Sequence, residues 1–219
     1  MFVFDLDGTL IDSIADLVLA VNSLVAEWGG RPLHHDAVVR MVGEGASLLV
    51  SRAFDASGIT RDPAQALPRF LEIYDAILPG ATRPYPGVPE MLQSLAPAAP
   101  MAVLTNKPAG SAVKILSMLG LDRFFSRIVG GDGPLGRKPG PGGLLGLAAE
   151  AGVDPQSIWM VGDSTIDLLT AHAAATRVCI VRYGFGFAGF DHSRLRGGEV
   201  FADHPADVTA ALLGRQHGR

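Results

Sequence analysis

Five short apolar runs, each closed by small or polar residues, constrain this chain more than any other feature. They occupy residues 1–4, 101–104, 128–129, 158–161 and 178–181. The residues that follow them are Asp5, Thr105-Asn106, Gly130-Gly131-Asp132, Gly162-Asp163 and Arg182. Continuous apolar runs of this length read as buried strands. Helical patterns at 111–119, 143–151 and 167–175 lie between the later runs. Strands alternating with helices require crossover connections, which are right-handed, and so a parallel sheet. The expected fold class is therefore α/β, a Rossmann-like parallel sheet core flanked by helices. In such sheets ligands bind at the carboxyl ends of the strands, where the polar residues just named fall.

Residues 13–82 break the rhythm. Ile14, Leu17, Val18, Val21, Leu24, Val25 and Trp28 recur at helical spacing, with Ser13 as the expected cap. Further helices are predicted over 36–42, 46–56 and 63–78. Gly29-Gly30, Gly43-Glu44-Gly45, Gly58 and Pro79-Gly80 punctuate them. The expected organisation is a core of residues 1–12 and 83–219 with an all-helical insert at 13–82. The segment after Pro205 reads as one short helix and a charged end.

Composition narrows the function. With 48% hydrophobic and 18% charged residues the chain can bury a core. Its formal charge of −4 argues against a broad nucleic-acid surface, which needs a basic stripe. Any anionic substrate must meet a local cation. The single cysteine, Cys179, excludes an intrachain disulfide and reads as a small buried hydrophobe. Asp5 and Asp7 interrupt the first apolar stretch, and no basic stretch precedes it, so it does not read as a secretory signal. There is no apolar run of membrane-spanning length. The expected setting is the cytoplasm, with no membrane or nucleic-acid partner. The six histidines are scattered without metal-ligand spacing.

Four elements at the strand ends carry chemistry. Asp5-Leu6-Asp7-Gly8-Thr9 places two carboxylates at the first strand end, and Gly8 lets the chain turn there. Thr105-Asn106-Lys107 offers a hydroxyl and backbone amides at a strand-to-helix junction. Lys138-Pro139 supplies a fixed cation. Gly162-Asp163-Ser164-Thr165-Ile166-Asp167 brings a second acidic pair, with Asp167 one helical turn beyond Asp163. Singly, each also reads as ordinary turn or cap chemistry. Together, in order at the ends of strands of one sheet, they form a set.

That set resembles the four motifs of the haloacid dehalogenase superfamily of phosphohydrolases: Asp5 to Thr9, Thr105, Lys138, and Gly162-Asp163 with Asp167. The helical insert resembles the superfamily's cap domain. Thr9-Leu10-Ile11-Asp12-Ser13, Gly43-Glu44-Gly45-Ala46, Pro86-Gly87-Val88, Thr105-Asn106-Lys107, Gly130-Gly131-Asp132, Lys138-Pro139 and Gly162-Asp163-Ser164 most resemble the phosphoglycolate phosphatases within it. The resemblance implies an Mg²⁺-dependent phosphomonoesterase acting on a small phosphorylated metabolite, 2-phosphoglycolate first, as a monomer or homodimer. It implies Asp5 as nucleophile, Asp7 as acid and base, and Lys138 as the neutralising cation. Asp5, Asp163, Asp167 and the backbone carbonyl of Asp7 would serve the metal. Gly8, Thr9, Thr105 and Asn106 would serve the phosphate, and Arg52 a substrate carboxylate. Lys107 reads equally as a surface residue or a substrate contact. The same chemistry also fits a phosphosugar phosphatase or mutase. Readings of a different class are a phospho-acceptor signalling domain and a catalytically silent binding protein. The segment Ala171-His172-Ala173-Ala174-Ala175-Thr176 departs from the superfamily's usual Ala-Gly, and Tyr183 stands where its loop usually has Trp. Gly140-Pro141-Gly142-Gly143 is expected to loosen the helix that follows Lys138.

Overall fold

Phe2, Val3 and Phe4 are all buried, and they form β1 (Phe2–Phe4) in the middle of a parallel sheet. The computed structural model describes residues 1–214. After β1 come β2 (Ile11–Asp12), α1 (Ile14–Glu27), α2 (His35–Val39), α3 (Ala46–Ser57) and α4 (Leu67–Ile77). Then follow β3 (Arg83–Pro84), α5 (Val88–Leu95), β4 (Met101–Leu104), α6 (Ala109–Met118), β5 (Arg127–Val129) and α7 (Gly142–Ala151). The chain continues through β6 (Trp159–Gly162), α8 (Thr165–Ala173), β7 (Arg177–Val181), β8 (Val200–Ala202) and α9 (Pro205–Gly214). The charged end expected after α9 lies outside the described residues.

The main sheet runs β5-β4-β1-β6-β7-β8, with every pairing parallel. Strand period two splits its side chains between two cores. Phe2, Phe4, Met101, Val103, Trp159 and Val161 face one core with α5, α6 and α9, and with α1, α3 and α4. Val3, Ala102, Leu104, Met160, Val178 and Ile180 face the other, against α7 and α8. Burying Phe2 and Phe4 contributes about 2–3 kcal/mol each to holding β1 central. The chain leaves β1 for one side of the sheet and returns at β6 to build the other. The crevice at that reversal is where an open α/β sheet binds ligands.

The α/β parallel sheet is thus as the sequence predicts, and the predicted strands and helices are present to within a few residues. The segment 63–78 divides into a short 3₁₀ turn at Pro63–Gln65 and α4, whose first turn accommodates Pro68. Two features escape the sequence pattern. An antiparallel ribbon pairs Ile11 with Pro84 and Asp12 with Arg83, joining the two chain segments that flank the helical stretch. Strand β8 extends the sheet edge.

Buried Asp16 pins the far end of that helical stretch: it accepts from the Ala81 and Thr82 amides at 2.7 and 2.9 Å and from the Thr82 hydroxyl at 2.6 Å. Ser13 does not cap α1 through its side chain; Asp12 accepts from the Ile14 amide at 3.2 Å instead. Nor is the start of α7 loose. A Cβ at Gly142 would meet the Leu135 carbonyl oxygen at 2.3 Å, and one at Gly143 would meet Leu104 at 2.4 Å. The glycines let α7 pack tightly on β4 and the preceding loop.

Candidate active site

β1 and β6 are neighbours in the sheet, so the residues just beyond their carboxyl ends converge. Asp5 follows β1 and Asp163 follows β6. Asp167 is the third residue of α8 and completes a capping box with Ser164, whose amide and hydroxyl donate to it at 3.1 and 2.6 Å. Carboxylate oxygens of Asp5, Asp163 and Asp167 lie within 4.8 Å of one another, and all three residues are buried. Lys138 enters from the loop after β5, and its ammonium lies 2.8 Å from Asp5 and 2.6 Å from Asp167.

Three buried carboxylates facing one ammonium leave a surplus of negative charge. Burial and the Asp167 carboxylate push the Asp5 pKa up to about 7, although Lys138 pulls the other way. Burial, followed by the Asp167 and Asp5 charges, raises Asp163 well above the usual carboxylate range. Burial alone would depress Lys138, but the Asp167 and Asp5 carboxylates outweigh it and hold the ammonium charged. A divalent cation relieves such a cluster. The donors are hard carboxylate oxygens, the class that Mg²⁺ prefers.

Backbone without side chains shapes this acidic corner. Gly8 sits at φ +86°, and a Cβ there would fall 1.9 Å from an Asp163 carboxylate oxygen. Gly184 and Gly186 close the opposite wall. A Cβ on Gly184 would meet the Gly8 carbonyl oxygen at 2.1 Å, and the Gly186 amide donates to Asp163 at 2.7 Å. Tyr183 anchors that loop by donating to the Thr9 carbonyl at 3.0 Å.

Asp7 points elsewhere. Its two oxygens accept from the Lys107 ammonium at 3.0 and 2.8 Å, and one also accepts from the Ser13 hydroxyl at 2.5 Å. Asp7 and Asp5 both border a cavity of about 50 Å³. Thr105, Asn106 and Lys107 line it from the loop after β4. Gly43 and Gly45 of the turn before α3, with Val42, Leu49, Phe70 and Tyr74, cover it from the helical side. Asn106 ties the two sides together. Its amide group donates to the carbonyls of Gly43 and Lys138, both at 3.0 Å, and accepts from the Lys138 amide at 2.8 Å.

The structure therefore gathers Asp5, Asp7, Gly8, Thr105, Asn106, Lys138, Asp163 and Asp167 at one crevice. Thr9 is fully buried and is not among the cavity-lining residues. Arg52 is not brought there either. Its guanidinium is spent on the Glu44 carboxylate and the Met41 carbonyl. Sequence reasoning gave Ser13, Tyr74 and Asp16 no site or clamping role. Lys107 was legible as a cation in a strand-end motif, but not its pairing with Asp7.

A parallel sheet whose strand ends carry this acidic cluster, in this chain order, defines a class. The chain belongs to the haloacid dehalogenase-like hydrolase family, whose model matches residues 2–181. Within that class it is similar to the phosphoglycolate phosphatase of Agrobacterium fabrum, 42% identical over 84% of this chain and 80% of that protein. The phosphoglycolate phosphatase of Rhodospirillum rubrum is 43% identical over 84% of this chain and 79% of its own. Among solved structures, one described as a predicted phosphoglycolate phosphatase from Haemophilus somnus superposes with a TM-score of 0.89 at 32% identity, covering 96% of both chains. No helix among the described residues is long and apolar enough to cross a membrane.

Proposed function

We propose that this protein hydrolyses 2-phosphoglycolate to glycolate and phosphate in an Mg²⁺-dependent reaction through an aspartyl-phosphate. The observation that carries the reading is the meeting of Asp5, Asp163, Asp167 and Lys138 at the β1–β6 crevice. Carboxylate attack on a phosphate is opposed by like charge, roughly 4 kcal/mol per unit pair at 4 Å and an effective dielectric near 20. Lys138, fixed by two carboxylates, offsets part of that. Asp5, Asp163 and Asp167, with the Asp7 backbone carbonyl, would hold Mg²⁺, which supplies positive charge at the phosphoryl oxygens when bound.

The chain's own groups then divide the work. An Asp5 oxygen bonds to phosphorus as the ester P–O bond breaks, and Asp7, entering this step in its protonated form, gives that proton to the departing alkoxide and is left as a carboxylate. Water then attacks the aspartyl-phosphate, Asp7 takes its proton, and the bond from phosphorus to Asp5 breaks. The Thr105 hydroxyl, lining the cavity, hydrogen-bonds a transferring phosphoryl oxygen. Residues 13–82 act as a cap that keeps bulk water from the intermediate. Asn106 positions Lys138 and the Gly43 turn rather than holding phosphate through its side chain. We assign no substrate contact to Thr9 or Arg52.

The names of the relatives support the substrate. The test is phosphate release over a panel of phosphorylated metabolites, with Mg²⁺ and with chelator, for the wild type and Asp5→Asn. The reading expects 2-phosphoglycolate to lead the panel, chelator to stop turnover, and Asp5→Asn to be inert. Turnover by Asp5→Asn at near wild-type rate would remove the mechanism; a phosphosugar leading the panel would remove the substrate.

A further inference from the structure

We propose that Lys107 and Tyr74 form the subsite that selects a carboxylate on the leaving group. The inference rests on the reading of the crevice as a phosphatase site and adds how it chooses its substrate. Among the described residues lining the cavity, Lys107 is the one lysine or arginine. Arg52, the helical-side cation singled out from the sequence, is paired with Glu44. Leu17, Val42, Leu49, Phe70 and Leu71 make the remaining helical wall apolar. A substrate carboxylate bound against such a wall needs a fixed positive partner, because burying an unpaired charge is prohibitive.

Lys107 is built for that role. Its side chain is 6% exposed, so its charge is not diluted by solvent. Burial works against its charge, yet Asp7 and Tyr74 hold it firmly as an ammonium. The same ammonium lies 4.6 Å from the centre of the Tyr74 ring. Tyr74 comes from α4, is 2% exposed, and its hydroxyl donates to no acceptor. Lys107 can only donate hydrogen bonds, so the Tyr74 O–H proton remains unspent beside it. Beside an ammonium that already pairs with Asp7, the unspent Tyr74 donor lacks an acceptor, and an anionic one reaching into the cavity engages both groups. A carboxylate on the leaving group supplies it, sharing Lys107 with Asp7 and accepting from Tyr74. The two groups come from opposite sides of the crevice, so the bound carboxylate also bridges the helical wall to the sheet.

The experiment compares 2-phosphoglycolate with ethyl phosphate, which has the same two-carbon frame but no carboxylate. kcat/KM for both is measured with Mg²⁺-loaded wild type, Lys107→Met and Tyr74→Phe, with thermal melts to confirm folding. The wild type is expected to favour 2-phosphoglycolate strongly. Lys107→Met should lower the 2-phosphoglycolate-to-ethyl phosphate ratio about 100-fold and Tyr74→Phe about 10-fold, the latter through KM. Tyr74→Phe keeps the ring and its stacking on Phe70, so it remains informative if Lys107→Met misfolds. A ratio that both variants leave at the wild-type value overturns this inference alone. Wild-type indifference to the carboxylate overturns it together with the substrate assignment.

Discussion

Replacing Gly8 by alanine should separate metal binding from stability. Gly8 has φ +86°, a conformation that costs an L-residue about 1 kcal/mol. The new methyl would start 1.9 Å from Asp163 Oδ2. Restoring an ordinary contact near 3.4 Å displaces that carboxylate by about 1.5 Å. Metal sites tolerate errors of about 0.2 Å in ligand distance, so the donor set would be broken even if the fold accommodates the methyl. Because Asp163 also accepts from the Gly186 amide at 2.7 Å, the displacement breaks its anchoring hydrogen bond. The expected loss of stability is about 1–3 kcal/mol, or roughly 3–10 °C in melting temperature for a chain of this size. The Mg²⁺ concentration for half-maximal activity should rise at least about 10-fold. The assay is an Mg²⁺ titration of phosphate release beside melts in chelator. Half-saturation within two-fold of wild type, in a folded Gly8→Ala protein, would refute the placement of Asp163 in the metal site.

Other consequences follow from the same geometry. Asp5 has its pKa raised from 3.8 to about 7. The folded state then binds a proton that the unfolded state has released, so metal-free stability should fall as pH rises from about 4 to 7, by a few kcal/mol. Melts in chelator should show that slope, and saturating Mg²⁺ should flatten it; identical slopes would contradict the charge surplus. Asp5→Asn, expected to be inert as a catalyst, should melt higher than wild type in chelator at pH 8, because it removes one of the crowded charges. Asp16→Ala orphans two amides and a hydroxyl at the end of the helical stretch. It should cost about 2–4 kcal/mol in chemical denaturation while barely moving the Mg²⁺ half-saturation.

The parts of this structure that were legible in the sequence are those carried by periodicity. Apolar runs closed by small or polar residues located the strands and the side of the sheet where the acidic cluster lies. The ribbon of Ile11–Asp12 with Arg83–Pro84 was illegible because two-residue strands carry no period. Strand β8 follows glycines at 197 and 198 and is only three residues long, with one residue buried. Ser13 misled for a specific reason: a serine before a helix ordinarily caps it, but here Asp12 takes that task and frees the Ser13 hydroxyl for Asp7. For Arg52 the sequence counts a cation without showing its pairing with Glu44. The glycines at 142 and 143 read as looseness because close packing of a backbone on Leu104 leaves no trace in a one-dimensional pattern.

Asp5 and Asp7 show how one short turn produces two environments. They are two residues apart, yet their carboxylates belong to different charge systems. Asp5 shares Lys138 with Asp167 and faces Asp163, so its compartment holds three acids against one base. Asp7 has Lys107 to itself and a hydroxyl besides, so its compartment is balanced. In the proposed reaction the imbalance falls on the side that would receive a cation and a phosphate, and the balance on the side where a proton would move. Gly8 makes the division possible. Its positive φ turns the chain immediately after Asp7, and its missing side chain leaves the space that Asp163 fills. A residue with a side chain at position 8 would push Asp163 out of the first compartment, which is why a single methyl there is the sharpest probe of how the charges are divided.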